Sequence, residues 1–178
     1  MSTIDLLEKL KDMGIGSLDP LQRILLIADG TLTEILEAAH LEPIQLVKIA
    51  QERVPATTAH AALVPTLHEN MLTRKILLQG RQSGKPYVYA ESVIAVERLS
   101  PAFQDELLNS DIPLGRLWLK HRLETFKELP VFSRQPADDL GTHFGPAAPA
   151  SLLARNYRVF SGGKPVMLIG EYFPVHSS

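Results

Sequence analysis

The sequence predicts an α+β fold with a single antiparallel sheet and flanking helices. Helix signals come early in the chain and strand signals are grouped later, so strands and helices do not alternate as they do around a parallel sheet. Two segments also have the form of a hairpin, and each has a turn with Gly-Lys-Pro, at 84–86 and at 163–165. With a length of 178 residues, the chain is expected to form one domain over residues 1–178.

Composition and charge narrow the class of protein. Hydrophobic residues make up 45% and charged residues 21%, which is typical of a globular chain and too apolar for a disordered one. The 18 Lys and Arg against 20 Asp and Glu give a net charge of -2, so there is no basic excess for binding nucleic acid. The absence of cysteine excludes a thiolate nucleophile and fits a reducing cytoplasm. The longest apolar run, at 24–28, is far shorter than the ~20 residues that span a bilayer, so no membrane partner is expected.

Helix boundaries are marked by capping residues. Asp19 before Pro20 is typical of an N-cap followed by proline at the first helical position, and Ser100 before Pro101 repeats the pattern. Residues 31–34, Thr-Leu-Thr-Glu, have the form of a capping box. The predicted helices run from 20 to about 29, from 32 to before 43 and from 101 to about 108, and residues 1–18 are interpreted as an N-terminal helical appendage.

Alternation of apolar and polar residues predicts the strands. Strands are expected at 44–54, 72–78, 87–96, 153–161 and 166–175, with irregular chain at 54–67 and extended or mixed structure at 117–132. Residues 134–150 have little periodicity and contain several Gly and Pro residues. They are expected to form a loop or a flap over the site.

Three charged residues fall on the apolar side of these strands: Arg74, Arg155 and Glu171. A buried charge is costly unless it is paired. One explanation is a structural network in which the arginines pair with Glu171 or Glu91. In both hairpins an Arg is followed by Gly-Lys-Pro and then by a Glu, which also suggests that one hairpin is a duplicate of the other. The other explanation is that two guanidinium groups line a pocket for a small dianion while Glu171 faces its polar end.

Other chemistries find little support in the sequence. The six His residues show no pair at metal-ligand spacing and no HExxH motif, so no metal is expected. The Gly-rich segment at 161–164 lies in a hairpin turn without a following helix, which argues against a phosphate loop. Ser92 and Ser151 lack the Gly-x-Ser-x-Gly elbow of serine hydrolases.

Several phrases, taken in order, resemble the chorismate lyase (chorismate pyruvate-lyase) family and its shorter prokaryotic branch. They are DGTLT at 29–33, LTRKILL at 72–78, YAESVI at 89–94, PLGR at 113–116, and the stretch from Arg155 through GKP at 163–165 to EYFP at 171–174. The resemblance runs over roughly residues 19 to 174.

This resemblance implies a chorismate lyase-like α+β fold and conversion of chorismate to 4-hydroxybenzoate and pyruvate, a step of aromatic acid biosynthesis, without a cofactor. Two departures, Glu91 where the best-known lyases carry no acid and Gly170 in place of a hydroxyl residue, leave the exact substrate open. The alternatives are a lyase that gives a different hydroxybenzoate and a non-catalytic, sensor-like domain that binds a small aromatic carboxylate. The oligomeric state stays open.

The resemblance also assigns roles to individual residues. Arg74 and the backbone amide of Leu114 correspond to groups that hold the ring carboxylate, and Glu171 corresponds to the carboxylate that contacts the ring hydroxyl, as base or as orienting group. Arg155 is expected to hold the second, enolpyruvyl carboxylate. Arg116 completes the substrate-binding set, although it is also compatible with a structural role.

Overall fold

The structure is a computed structural model that describes residues 18–175, apart from 30, 66–67, 129 and 147, together with Glu8 and Lys11. The helical appendage predicted at residues 1–18 therefore lies almost entirely outside the described residues. The first described segment begins with Leu18, which is buried in the core.

Between residues 18 and 175, four α-helices flank the sheet: α1 (Pro20–Ile27), α2 (Leu32–His40), α3 (Pro101–Asn109) and α4 (Leu114–Lys120). As the capping residues predict, the Asp19 carboxylate accepts from the Gln22 amide at the start of α1, and the Ser100 hydroxyl accepts from the Phe103 amide in α3. No helix in the described part of the chain is long and apolar enough to cross a membrane.

Seven strands form the sheet, and every pairing is antiparallel. They are β1 (Ile44–Pro55), β2 (Asn70–Gly80), β3 (Pro86–Ile94), β4 (Phe126–Lys127), β5 (Val131–Pro136), β6 (Ser151–Ser161) and β7 (Lys164–Pro174). The order is β1-β2-β3-β7-β6-β4, with β5 paired to another part of β6. The predicted α+β fold with one antiparallel sheet is confirmed.

Both pairs of helices pack on the same face of the sheet, but at different ends of the strands. Helices α1 and α2 pack with Leu78, Val88 and Phe173 in one apolar cluster. Helices α3 and α4 pack with a second cluster that includes Leu72 and Met167. Side chains alternate between faces along a strand. On the face that carries the helices, the side chains at the middle of the strands lie between these two clusters, and the gap between the helix pairs lies above them.

The opposite face is covered by two 3-10 helices, Thr58–Leu63 and Asp138–Phe144. The second of these corrects the prediction of a loop or flap at 134–150, because the segment begins in β5 and continues as a helix. Its His143 ring stacks on Tyr89, with ring centroids 4.5 Å apart. Tyr89 points away from the face that carries α1–α4, so the helical part of this segment cannot close over a site on that face.

Two local predictions differ from the structure. The segment 117–132, expected to be extended or mixed, is helical at its start, where residues 117–120 belong to α4 and Leu117 packs in the second apolar cluster. The rest of the segment contains β4 and the start of β5, as expected. The Thr31 side chain makes no capping hydrogen bond to α2. Its hydroxyl is instead buried, with no hydrogen-bond partner in the described part of the chain.

Candidate active site

A cavity of about 690 Å³, its mouth included, lies between the two helix pairs and the sheet. Two rows of cross-strand neighbours form its floor: Ile76, Ala90, Glu171 and Arg155 in one row, and Arg74, Ser92, Ile169 and Tyr157 in the other. The β3 positions in the middle of both rows carry small side chains. Ala90 and Ser92 thereby leave space where larger residues would fill the core.

The remaining walls come from the segments that connect the helices. The start of α2 contributes residues 31–33, the start of α4 contributes Leu114 and Trp118, and β4 contributes Lys127. Most of the lining is apolar, with a few polar groups at separate places. Such a lining suits a small ring compound that carries polar substituents.

Arg74 is a buried cation that makes no salt bridge with any of the described residues. It is 3% exposed, and its Nε and Nη2 atoms have no hydrogen-bond acceptor among the described residues. Burial lowers the pKa of Arg74, partly offset by the carboxylate of Asp111, but a guanidinium keeps its charge in proteins. Because an unsatisfied buried donor costs about 1–3 kcal/mol, and more when it is charged, this arrangement indicates an anionic ligand.

The backbone of Leu114 lies on the same cavity. Leu114 is the first residue of α4, so its amide has no acceptor within the helix. Among the described residues, the Leu114 amide donates no hydrogen bond to a backbone carbonyl. A free N–H at this position is a suitable second donor for an anion.

Glu171 and Arg155 form an ion pair in the cavity floor. They are direct cross-strand partners on β7 and β6, and Arg155 Nε contacts Glu171 Oε2. The Tyr157 hydroxyl donates to Glu171 Oε1 at 3.3 Å. Burial and the neighbouring carboxylate of Glu171 raise the pKa of Tyr157 well above its ordinary value, so the phenol stays protonated and keeps this hydrogen bond.

Arg155 is also bound to the end of a helix. Its Nη1 donates to the carbonyls of Leu25, Leu26 and Ala28, at 2.7, 3.2 and 2.9 Å. Burial opposes the charge of Arg155, but Glu171 and Tyr157 together outweigh it and raise its pKa. The network that the sequence left as one alternative is therefore present for Arg155 and Glu171, whereas Arg74 takes no part in it.

The model of the family described as chorismate pyruvate-lyase, Rv2949c-like, matches residues 26–178. The chain belongs to this family. The family's curated relatives include a chorismate pyruvate-lyase of Mycobacterium tuberculosis, 34% identical over 169 residues that cover 92% of this chain and 84% of the relative. The chorismate pyruvate-lyase of Mycobacterium leprae is 32% identical, over 89% of this chain and 76% of the relative. The family resemblance drawn from the sequence is confirmed.

Solved structures show that the fold extends beyond the Rv2949c-like chorismate pyruvate-lyases. The effector domain of PhnF from Mycobacterium smegmatis superposes with a TM-score of 0.65 at 12% identity, over 83% of this chain and 90% of that chain. The C-terminal domain of the histidine utilization repressor from Pseudomonas syringae gives a TM-score of 0.57 at 14% identity, over 74% and 91%. At these identities the similarity concerns the fold alone.

In this member of the Rv2949c-like family, Arg116 lies outside the cavity lining. Its Nη2 donates to Glu37 Oε2 at 2.6 Å, and its side chain is 38% exposed. This ion pair ties α4 to α2. This contact supports the structural alternative for Arg116, and its expected role in substrate binding stays a prediction.

Glu91 and Gly170, the two departures from the family pattern, face away from the cavity. They are cross-strand partners on the opposite face of the sheet, where Glu91 accepts from the Tyr89 hydroxyl at 2.6 Å and lies 3.5 Å from Lys75 Nζ. Glu91 is therefore no partner of Arg74, which lies opposite Ser92. The two hairpins differ in this register, which argues against a duplicated Arg–Glu arrangement.

The cavity residues that the sequence does not predict include Thr31, Trp118 and Lys127. Thr31 is predicted to be a helix cap, and the other two lie at 117–132, the segment expected to have extended or mixed structure. No periodicity marks them, because α4 has seven residues and β4 has two. No cluster of three or more potential metal-ligating side chains is found among the described residues.

Proposed function

We propose that this protein converts chorismate into 4-hydroxybenzoate and pyruvate. The observation that carries the proposal is Arg74, a buried guanidinium with two unpaired nitrogens, in a cavity whose neighbouring row holds the carboxylate of Glu171. The family and its curated relatives, named as chorismate pyruvate-lyases, support the same reaction.

In the proposed complex, Arg74 and the Leu114 amide bind the ring carboxylate. A guanidinium presents its donors in a planar fork that matches a carboxylate. The apolar residues of the floor and of α2 enclose the ring and exclude water, which strengthens this charged contact. The same contacts hold the ring carboxylate of the product.

The reaction requires a positioned substrate and one proton acceptor. The bond between the ring carbon and the ether oxygen breaks, the neighbouring ring carbon that bears the hydroxyl loses its hydrogen as a proton, and the ring becomes aromatic. The enolpyruvate that leaves takes up a proton and becomes pyruvate. Aromatisation supplies the driving force, so the proposal includes no cofactor, and positioning together with proton transfer supplies the catalysis.

Glu171 is the proposed proton acceptor or, if the proton leaves by another route, the group that orients the ring hydroxyl. Arg155 and Tyr157 hold both of its oxygens. We assign Arg155 to this positioning role because Glu171 and three backbone carbonyls already engage its guanidinium. The expectation that Arg155 binds the second carboxylate of the substrate loses support from these contacts.

The test is incubation of the purified protein with chorismate, with pyruvate and hydroxybenzoates separated by chromatography. Equal amounts of pyruvate and 4-hydroxybenzoate are expected from the wild type, and neither from Arg74→Met. Arg158→Met is the matched control, since Arg158 pairs with Glu128 on the opposite face of the sheet. It should retain wild-type turnover.

Two other outcomes would replace the proposal. Pyruvate with a different hydroxybenzoate would identify a lyase of different product specificity. Intact chorismate together with saturable binding of 4-hydroxybenzoate would identify a non-catalytic binding domain.

A further inference from the structure

We propose that Lys127, together with the indole N–H of Trp118, binds the second carboxylate of the substrate, on the enolpyruvyl group that leaves. This inference rests on the proposed function, because it assigns the other end of the same dicarboxylate. It assigns to Lys127 the contact with the second carboxylate that the family resemblance implies for Arg155.

Lys127 and Arg74 lie on opposite sides of the cavity. Arg74 is on β2 and Lys127 is on β4, and the strands β3, β7 and β6 lie between them. Lys127 pairs with Val159, which shares the cavity face with Tyr157, so Lys127 is on the same side of the sheet as Arg74. Four strand spacings separate the two backbones, roughly 19 Å along a flat sheet. Both side chains line the cavity, so a small dicarboxylate between them can contact each cation with one carboxylate.

The protein itself provides only weak compensation for the charge of Lys127. The side chain is 17% exposed, and its Nζ lies 3.5 Å from the Asp29 carboxylate, which is 89% exposed and strongly solvated. Nζ also donates to the Asp29 carbonyl. It lies 5.3 Å from the centre of the Trp118 ring and 5.9 Å from that of Tyr157. By contrast, Arg155 forms an ion pair with the buried carboxylate of Glu171. Of these two cations, Lys127 is therefore the one that can bind an additional anion.

Unpaired donors point to the same location. Among the described residues, the buried side-chain atoms without a hydrogen-bond partner include Trp118 Nε1 and Thr31 Oγ1. Both residues line the cavity together with Lys127. An indole N–H can only donate, so its natural partner is an acceptor such as a carboxylate oxygen. The cavity thus has unpaired donors at the Arg74 side and again at the Trp118 side, which matches a ligand with a carboxylate at each end.

The position also suits a leaving group. Thr31, Trp118 and Lys127 line both the cavity and a more open groove on the outer surface. A carboxylate bound at this wall lies close to solvent, whereas the ring carboxylate at Arg74 is deeper. Pyruvate can then depart through the wall without passing the aromatic product.

The test compares chorismate, which has both carboxylates, with 4-hydroxybenzoate, which has only the ring carboxylate. For Lys127→Met we expect KM for chorismate to rise about 10- to 100-fold, the loss of one charged contact, and the inhibition constant of 4-hydroxybenzoate to change less than twofold. Lys127→Arg should restore most of the affinity. Asp29→Asn is the matched control, because it removes the protein's own ion pair and should leave KM unchanged or lower.

A second readout uses Trp118, the single tryptophan of the chain. Pyruvate alone is expected to change Trp118 fluorescence in the wild type and not in Lys127→Met. The proposal is overturned if Lys127→Met leaves KM for chorismate unchanged or if it weakens the binding of chorismate and of 4-hydroxybenzoate equally. It is also overturned if Asp29→Asn raises KM as Lys127→Met does.

Failure of the proposed function is recognised separately. If the wild type does not turn over chorismate, equilibrium binding of chorismate and 4-hydroxybenzoate to the same variants replaces the kinetic constants. If Lys127→Met weakens the binding of chorismate but not that of 4-hydroxybenzoate, the result supports the second carboxylate site in a protein without catalytic activity. Equal weakening, or no binding of either ligand to the wild type, overturns it.

Discussion

Arg155 and Glu171 lie directly opposite each other on β6 and β7 and form an ion pair within the floor of the cavity. The same guanidinium holds three carbonyls at the end of α1. A helix C-terminus carries partial negative charge, which a cation stabilises. One arginine therefore connects the proposed catalytic carboxylate to the helix that closes one end of the site.

Arg155→Met should be strongly destabilising. It leaves the Glu171 carboxylate buried without its cation and frees the carbonyls of α1, and breaking a buried pair costs about 3–5 kcal/mol. Urea denaturation should show this loss in the free energy of unfolding. The double variant Arg155→Met/Glu171→Leu should recover a substantial part of it. A double variant no more stable than the single one would mean that the helix contacts, and not the ion pair, dominate.

Glu171→Gln should lower kcat by about 10²- to 10⁴-fold, the usual contribution of a positioned acid or base. The amide keeps the shape of the side chain, so the affinity for 4-hydroxybenzoate should change little. Steady-state kinetics and product binding by calorimetry separate the two effects. An equal loss of turnover and of product affinity would indicate that Glu171 contributes to binding and not to proton transfer.

Arg74→Met should leave the free energy of unfolding unchanged or raise it by up to about 3 kcal/mol, because the variant removes buried donors that have no partner. The increase in melting temperature caused by 4-hydroxybenzoate should disappear in this variant, since a ligand stabilises only the state that binds it. Thermal unfolding with and without ligand measures both, and Arg158→Met should keep the ligand effect. A large destabilisation of unliganded Arg74→Met would show that Arg74 has a structural role.

The sheet and the deeper part of the site could be predicted from local patterns. Alternation along β2, β6 and β7 is a property of consecutive residues, so it placed Arg74, Arg155 and Glu171 on the buried face without knowledge of the strand order. Each of the three lies on that face.

The partners of the buried charged residues, and the cavity walls formed by other parts of the chain, could not be predicted from these local patterns. Whether Arg155 meets Glu171 depends on the register between strands and on the position of α1, which lies more than 100 residues away in the sequence. Lys127 and Trp118 reach the cavity from elements too short to show a period. The segment 134–150 resembled a flap in composition, but the face on which it packs is decided by tertiary contacts such as the stacking of His143 on Tyr89.

The free energy of unfolding should decrease at low pH, in part because the Glu42 carboxylate becomes protonated. Hydrogen bonds from the Ser83 amide and hydroxyl, with further ones from Tyr87 and Gln82, lower the pKa of Glu42 from 4.5 to about 2. A carboxylate whose pKa is lower in the folded state adds stability above its unfolded pKa, and this contribution is lost as the pH falls from about 4.5 through 2. Glu42→Gln should therefore show a smaller decrease in stability over this range in urea titrations. The exposed Glu52→Gln serves as the control, and identical pH profiles for Glu42→Gln and the wild type would contradict the assignment.

Ala90→Leu should abolish turnover without unfolding the protein. Ala90 lies between Ile76 and Glu171 in the cavity floor, and a leucine there would fill space that the proposed substrate ring occupies. The cavity accepts the added methyl groups, so the overpacking cost of about 1–3 kcal/mol that a filled core would impose should not appear. Activity assays and thermal unfolding test this, with Val93→Leu as the control because Val93 faces the other side of the sheet. If Ala90→Leu retains wild-type KM and kcat, the substrate does not bind over this part of the floor, and the assignment of the cavity as the active site is wrong.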